Sequence, residues 1–191
     1  MRKIAFIVSF LLLLALASSA SAIGIRGALV LCNSNYSEKY EGSIKTVDLN
    51  MHYGLEVNIS YPISPMIEIL GGLTYYLPVS GKLGDTGYYP DDEKIGFLPI
   101  NLAAKFNIPA GMTGMKPYAG LGLNYTNWYW DPTDEVGPSH PGLGYYGFVG
   151  AEFGSIFGEL GYTIMTTTLS HWDSYSESRG IYIKGGMIFG L

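Results

Sequence analysis

Residues 47–61 alternate without interruption between apolar and polar side chains. The apolar positions are Val47, Leu49, Met51, Tyr53, Leu55, Val57, Ile59 and Tyr61, and the polar face carries Asp48, Asn50, His52, Gly54, Glu56, Asn58 and Ser60. A β-strand points successive side chains to opposite faces, so this pattern predicts a strand with one apolar face. Strands of soluble sandwiches usually have about five or six residues, whereas a tilted strand needs about 9–11 to cross a bilayer. The length of the run therefore favours a membrane-spanning strand.

Further segments repeat this period-two pattern, and their spacing predicts the fold. They cover residues 23–32, 67–77, 98–108, 119–126, 145–153, 156–166 and 181–191. The connections alternate between long ones, at about 33–46, 78–94, 131–144 and 167–180, and short ones, at 62–65, 109–116 and 154–155. An even strand number with short turns at one end and long loops at the other is typical of outer-membrane barrels. We therefore predict an all-β, eight-stranded antiparallel transmembrane up-and-down β-barrel.

The N-terminus indicates export. Arg2 and Lys3 precede an apolar stretch at residues 4–17, and small residues follow at 20–22. This is the pattern of a secretory signal peptide, and the apolar stretch is too short for a spanning helix. We predict a cleaved signal peptide at residues 1–22 and a barrel domain at residues 23–191. Secretion through the inner membrane and a final location in the outer membrane of a Gram-negative cell follow from this prediction.

Composition excludes several classes of protein. The formal net charge is −5, and loss of Arg2 and Lys3 with the signal peptide makes it −7, which argues against a nucleic-acid partner. Cys32 is the only cysteine, so there is no intramolecular disulfide framework, and we expect it to be a small packed side chain near the end of a strand. Charged residues make up only 14% of the chain, fewer than the exterior of a soluble eight-stranded barrel needs.

Aromatic residues gather where the predicted strands end. One set, comprising Tyr75, Tyr76, Trp128, Tyr129, Trp130, Tyr145 and Tyr146, lies toward the long loops, and the other, Tyr61, Phe106 and Phe153, lies toward the short turns. Aromatic girdles at both membrane interfaces are typical of such barrels. The C-terminal strand also resembles the signal that barrel-assembly machinery reads, in Lys184, Gly186, Phe189 and Leu191. We expect that machinery and periplasmic chaperones to be partners during assembly.

Two segments resemble the OmpW-like family of small outer-membrane barrels. The sequence MKPYAGLGLNYT at residues 115–126 is similar to the family's RPYVGAGINYT strand, and FLPINL at residues 97–102 resembles its LPPT strand. The resemblance extends over about residues 46–130 and implies an eight-stranded barrel with a narrow, largely apolar interior that passes small hydrophobic molecules. Pro99 cannot donate a ladder hydrogen bond, so we also expect a bulge or interrupted pairing at this position.

The predicted strands carry charged residues on their polar faces, unlike the largely apolar interior that the resemblance implies. The lumen-facing set is Arg26, Asp48, His52, Glu56, Glu68, Lys105, Glu152, Glu159 and Lys184. Eight strands enclose a space just wide enough for side chains, and charges in such a space must be paired or hydrated. We therefore predict a salt-bridged plug rather than an apolar duct or a wide pore.

The resulting functional hypothesis is a monomeric, non-enzymatic envelope protein, OmpW-like and porin-like in layout, that stabilises the membrane or provides a narrow passage for small molecules. We expect outer-membrane lipid or lipopolysaccharide as its surroundings, and no cofactor. One alternative is a surface adhesin acting through acidic loops such as the one containing Asp91, Asp92 and Glu93. A second is a lipid A-modifying enzyme using His171. The latter lacks the serine of the His-x-Ser pair of lipid A deacylases, because Asp173 stands in its place.

Overall fold

The computed structural model describes residues 23–40, 43–49, 51–83, 94–109, 114–130, 139–169 and 174–190. These residues form β1 (Gly24–Tyr40), β2 (Ser43–Leu49), β3 (His52–Ser64), β4 (Ile67–Leu83), β5 (Lys94–Asn107), β6 (Met115–Trp130), β7 (Ser139–Phe153), β8 (Ile156–Leu169) and β9 (Ser174–Gly190). Within these ranges no helix is long and apolar enough to span a bilayer.

The strands close into a barrel. From β3 to β9 each strand pairs antiparallel with the next, and β9 pairs with β1 from Gly24↔Gly190 to Lys39↔Tyr175. Both β2 and β3 lie between β1 and β4 and pair with each of them, so they are two parts of one barrel strand. The described segments therefore occupy eight positions around the barrel, which confirms the predicted fold class.

The predicted lengths of the long loops are wrong. β1 continues to Tyr40 and β2 begins at Ser43, where a long loop is predicted, and β8 and β9 likewise extend to Leu169 and from Ser174. The prediction ended each strand where apolar alternation stopped, and for the same reason it wrongly placed Cys32 near a strand end. The ladder, however, is made by backbone groups, which continue to pair once the side chains on both faces are polar.

The alternating run of residues 47–61 also contains a break. β2 ends at Leu49 and β3 begins at His52, and the register against β1 shifts by one residue between Asn35↔Asp48 and Cys32↔His52. Such a shift is characteristic of a β-bulge, which adds a residue to one strand without ending the pairing. In β3 the burial of successive side chains alternates from His52 to Ser60, so the polar face points into the barrel there.

The exterior of the barrel is apolar and bounded by aromatic rings. Leu121 is 70% exposed and Leu29 67% exposed, as is typical of residues that face lipid. Exposed tyrosines lie nearer the loops at Tyr53, Tyr75, Tyr125, Tyr145 and Tyr162, and exposed aromatics lie nearer the turns at Tyr61, Phe106, Phe153 and Phe189. Along β3 these rings are eight residues apart, which corresponds to roughly 20 Å across the membrane at about 3.3 Å per residue and a tilt of about 40°.

The structure corrects the predicted positions of Tyr76 and Tyr146 in the aromatic girdle. Tyr76 is buried, and Tyr146 packs against the buried core, while their neighbours Tyr75 and Tyr145 are exposed. Adjacent residues in a strand point to opposite faces, so only one member of each Tyr-Tyr pair can lie on the exterior. The side chains of Trp128, Tyr129 and Trp130 lie outside the described residues.

The interior is filled by aromatic rings that lie over glycines of the neighbouring strand. A Cβ atom added at Gly120 would lie 2.1 Å from Phe148, and one added at Gly161 would lie 2.3 Å from Tyr182. Tyr146 over Gly122 and Tyr118 over Gly150 repeat the arrangement. Inward glycines thus supply the space for large rings in a barrel whose interior is only wide enough for side chains.

Candidate functional site in the lumen

The structure describes the side chains of eight of the nine predicted lumen residues and places them inside the barrel. The ninth, Asp48, lies in β2, but its side chain is not described. Glu68 is partly buried, and the buried members are Arg26, His52, Glu56, Lys105, Glu152, Glu159 and Lys184. These residues come from seven strand segments, and each lies on the inward face that alternation assigns to it. We call the end of the barrel with the Pro65–Met66 and Gly154–Ser155 turns the turn end, and the other end the loop end.

The first charged cluster lies toward the turn end. Arg26 Nη1 donates to Glu152 Oε1 at 2.9 Å, and Lys105 also forms an ion pair with Glu152. Lys105 Nζ donates to Glu68 Oε1 at 3.0 Å, and the same oxygen accepts a hydrogen bond from Asn107 Nδ2 at 2.8 Å. The lysine side chain is completely buried. Because each cation here touches a carboxylate, the desolvation of the charges is offset by short ionic contacts.

The second cluster is centred on Lys184. Its Nζ lies 2.8 Å from Glu56 Oε1 and 2.7 Å from Glu159 Oε1, so one ammonium group neutralises part of two carboxylates. Glu56 also accepts hydrogen bonds from Asn58 Nδ2 at 2.6 Å and from Thr74 Oγ1 at 3.0 Å. Lys184 therefore crosslinks β3, β8 and β9 through the interior of the barrel.

Tyr118 joins the two clusters. Arg26 Nη2 donates to the Tyr118 hydroxyl at 3.1 Å, and this hydroxyl donates to Glu159 Oε2 at 3.3 Å. Tyr182 donates to Glu159 Oε1 at 3.0 Å. The sequence analysis did not identify these tyrosines as parts of a polar network, although their inward parity was available as a signal. The charged residues and the tyrosines together form one continuous network, which we call the ionic plug.

Aromatic rings cover the guanidinium group of the ionic plug. Arg26 Cζ lies 4.1 Å from the centre of the Phe157 ring and 5.3 Å from that of Tyr118. A cation over an aromatic face is attracted to the ring quadrupole, and more strongly when water is excluded. The ring faces thus supply favourable contacts at positions where the guanidinium has no carboxylate.

His52 lies in a separate layer nearer the loop end. Its Nε2 lies 2.9 Å from Ser34 Oγ, and its ring meets Phe97 edge-on at 5.3 Å between centroids. Tyr76 approaches the same ring at 6.3 Å, and the imidazole is 1% exposed. The structure therefore brings His52 into an aromatic layer that closes the lumen above the ionic plug, rather than into contact with the charged residues described there.

A small cavity lies between the plug and this layer. Its volume is about 20 Å³, and its polar lining includes Glu56, Thr74, Asn101 and Lys184. A cavity of this size holds about one water molecule, and such a water needs the hydrogen-bond partners that these side chains provide. Pro99 also lines it. At this position the described β4–β5 ladder passes from Leu73↔Ile100 to Tyr76↔Phe97, in agreement with the interrupted pairing expected at a proline.

Other predicted residues are only partly described. In the C-terminal segment, Lys184 belongs to the ionic plug, Gly186 packs against Gly27 of β1, and Phe189 is exposed. Leu191 lies outside the described residues, as do residues 1–22, His171 and the acidic segment 91–93. Recognition of the C-terminus by assembly machinery, the cleaved signal peptide and the roles of the loops therefore remain predictions.

Comparison with known proteins identifies the fold. No protein-family model matches the chain, and no curated protein sequence matches it significantly. The solid-state NMR structure of the outer membrane protein AlkL in DMPC bilayers is similar, with a TM-score of 0.54, 13% identity, and coverage of 90% of this chain and 91% of AlkL.

Two crystal structures are more distant in shape. Neisserial surface protein A has a TM-score of 0.45 and 12% identity over 83% of this chain and 95% of that protein. The attachment invasion locus protein Ail of Yersinia pestis has a TM-score of 0.47 and 13% identity over 89% of this chain and all of Ail, at 100%. At these identities the likeness concerns the fold, which is that of a small outer-membrane β-barrel.

Proposed function

We propose that this chain is a non-enzymatic outer-membrane protein that spans the bilayer as a filled, rigid barrel and supports the envelope rather than conducting solutes through its lumen. The apolar exterior between two aromatic rings supports the membrane location, because no soluble barrel gains by exposing so many leucines and valines. The resemblance to OmpW-like barrels also supports a small outer-membrane barrel.

The observation that carries this proposal is the filled lumen. The ionic plug and the aromatic layer around His52 occupy successive levels of the interior, and the cavity between them measures only about 20 Å³. Opening a path would require separating Lys184 from Glu56 and Glu159, whose contacts measure 2.8 and 2.7 Å. Separation inside the barrel would leave these charges without their counterions, and an uncompensated buried charge costs about 3–5 kcal/mol. A luminal passage, whether polar or apolar, is therefore the weaker of the two roles indicated by the sequence.

Planar-bilayer recording tests this proposal. We expect the inserted barrel to show no conductance above that of the protein-free bilayer, because neither ions nor water have a continuous path through the plug. Insertion is verified independently by protease resistance and by the changed gel mobility of the unheated barrel. A steady ionic current from inserted wild-type protein would contradict the filled-lumen proposal. Lipid A mass profiles of cells expressing wild type or His171→Ala address the enzymatic alternative separately, and identical profiles are the expected result.

A further inference from the structure

The outer wall of the barrel contains an apolar groove of about 640 Å³. Its floor is formed where outward positions carry small residues, Ala119 on β6 and Gly147 on β7. The larger side chains of Leu121, Leu160 and Tyr162 flank it. The register explains the shape, because Gly147 pairs with Leu121 on one side and with Tyr162 on the other. The groove is thus a depression one side chain deep between these bulkier side chains.

This groove leads to a cationic side chain at its loop end. Ile181 of β9 lines the groove, and Arg179 is the next outward residue toward the loops on the same strand. The side chain of Arg179 is 59% exposed and forms an ion pair with Glu177 through Nε. A guanidinium carries five N–H donors, so the contact of Nε with Glu177 leaves the donors of the two terminal nitrogen atoms for a further partner. Asn35, the cross-strand partner of Arg179, and Asn33, the partner of Ile181, are also exposed.

The order of these features follows the order of groups in a lipid. The apolar groove lies within the hydrophobic band, and Tyr162 of the loop-end ring lies at its edge. Asn33 pairs with Ile181 of the groove lining, and Arg179 and Asn35 form the next outward pair toward the loops. Arginine binds phosphate through paired N–H donors, and tyrosine rings favour the headgroup level of a bilayer. The Nε contact with Glu177 leaves N–H donors of Arg179 for a phosphate, which a lipid offers and the apolar wall of a second copy does not, so charge complementarity favours a lipid.

We propose that this surface is a binding site for a phosphorylated glycolipid of the lipid A type, with one acyl chain in the groove and a phosphate at Arg179. The inference rests on the proposed outer-membrane location and adds a specific ligand site to it. Asn33 and Asn35 supply amide groups for the sugar or phosphate oxygens. Gly147 provides the depth that the acyl chain requires.

Native mass spectrometry of the folded barrel in detergent micelles, titrated with diphosphorylated hexa-acyl lipid A, tests the site. We expect one retained lipid A molecule per wild-type barrel. Arg179→Gln should lower its affinity about tenfold, as expected for loss of one charge-assisted contact to phosphate, and Arg179→Lys should lower it less. Gly147→Leu should also lower it about tenfold, because its side chain fills the groove. With dephosphorylated lipid A, wild type and Arg179→Gln should bind equally.

Matched variants separate specific binding from general lipid adhesion. Lys116→Gln removes an exposed cation near the turn end, and Gly71→Leu adds the same side chain on β4, where an added Cβ meets nothing within 4 Å. Both should retain lipid A like the wild type. Unchanged lipid A affinity in Arg179→Gln or Gly147→Leu would overturn the site, as would equal retention of phosphatidylethanolamine. A wild-type dimer abolished by Gly147→Leu would overturn it in favour of a second copy.

Failure of the lipid site is distinguishable from failure of the proposed function. Each variant is first reconstituted into vesicles and checked for protease resistance and for the gel mobility of the folded barrel. A barrel that inserts and blocks current but retains no lipid A overturns only the binding site. A barrel that fails to insert, or that conducts ions, contradicts the proposed function whatever lipid it retains.

Discussion

Replacing Lys184 by methionine is expected to lower the free energy of unfolding by about 3–5 kcal/mol, the cost of leaving buried charges without their counterion. The ammonium contacts both Glu56 and Glu159, and its side chain is 5% exposed. Methionine approximates the length of the lysine stem, so packing is largely retained while two carboxylates lose their counterion. Equilibrium urea unfolding in lipid vesicles measures the change, and it avoids the assembly machinery for which Lys184 is also a predicted signal.

Two companion variants identify the cause of that loss. Lys116→Met removes an exposed lysine near the turn end and should change stability by less than about 0.5 kcal/mol, as is usual for surface sites. Adding Glu159→Gln to Lys184→Met should recover part of the lost stability, because it removes one of the uncompensated charges. A loss below about 1 kcal/mol in Lys184→Met would show that the ion pairs of the plug do not restrain the barrel.

Gly120→Ala is expected to destabilise the barrel by about 1–3 kcal/mol, the usual cost of overpacking a filled interior. An added Cβ would lie 2.1 Å from the ring of Phe148. The centroid of this ring lies 5.8 Å from that of Tyr146 in a stacked pair and 6.1 Å from that of Tyr118 in an edge-to-face pair. The ring is therefore surrounded by other aromatics and has little room to move. The same unfolding measurement in vesicles reports the effect.

Gly158→Ala is the matched control for Gly120→Ala. Gly158 faces outward on β8, and an added Cβ there meets nothing within 4 Å. We expect a change within about 0.5 kcal/mol, or a slight gain from the reduced freedom of the unfolded chain. Equal effects of the two substitutions would contradict the filled interior, because they would imply that the inward side of β6 has as much space as the outward side of β8.

Period-two alternation was sufficient to predict the barrel and the inward direction of the eight predicted lumen residues whose side chains the structure describes. It works because the face of a strand depends only on the parity of each position, provided that no bulge intervenes. Arg26, Glu152 and Lys105 come from strands far apart in the sequence, and their direct contacts follow from barrel closure. Closure itself was predicted from the even number of strands and from their connections, and the number of strands is the part that the structure retains, because β1, β8 and β9 continue into the predicted long loops.

Other features depend on information that parity does not contain. The ends of β1 and β9 are set by backbone pairing beyond the apolar band, so polar composition misplaced them. Tyr118 looked like one more aromatic residue, and only its distances of 3.1 Å to Arg26 and 3.3 Å to Glu159 reveal its linking role. The external groove likewise requires the register that places Gly147 beside Leu121 and Tyr162.

Collision measurements on spin labels test most directly whether the apolar faces of the strands contact lipid. Single cysteines replace the outward residues Leu55, Val57, Leu121 and Leu160 in protein reconstituted into vesicles. Cys32 is 1% exposed and should remain unlabelled in the wild type, and Lys116→Cys serves as the water-exposed control. We predict that at the four outward positions collisions with oxygen, which partitions into lipid, exceed those with a water-soluble nickel chelate, and that the order reverses at Lys116→Cys. Dominant collisions with nickel at the four positions would contradict a lipid-facing exterior.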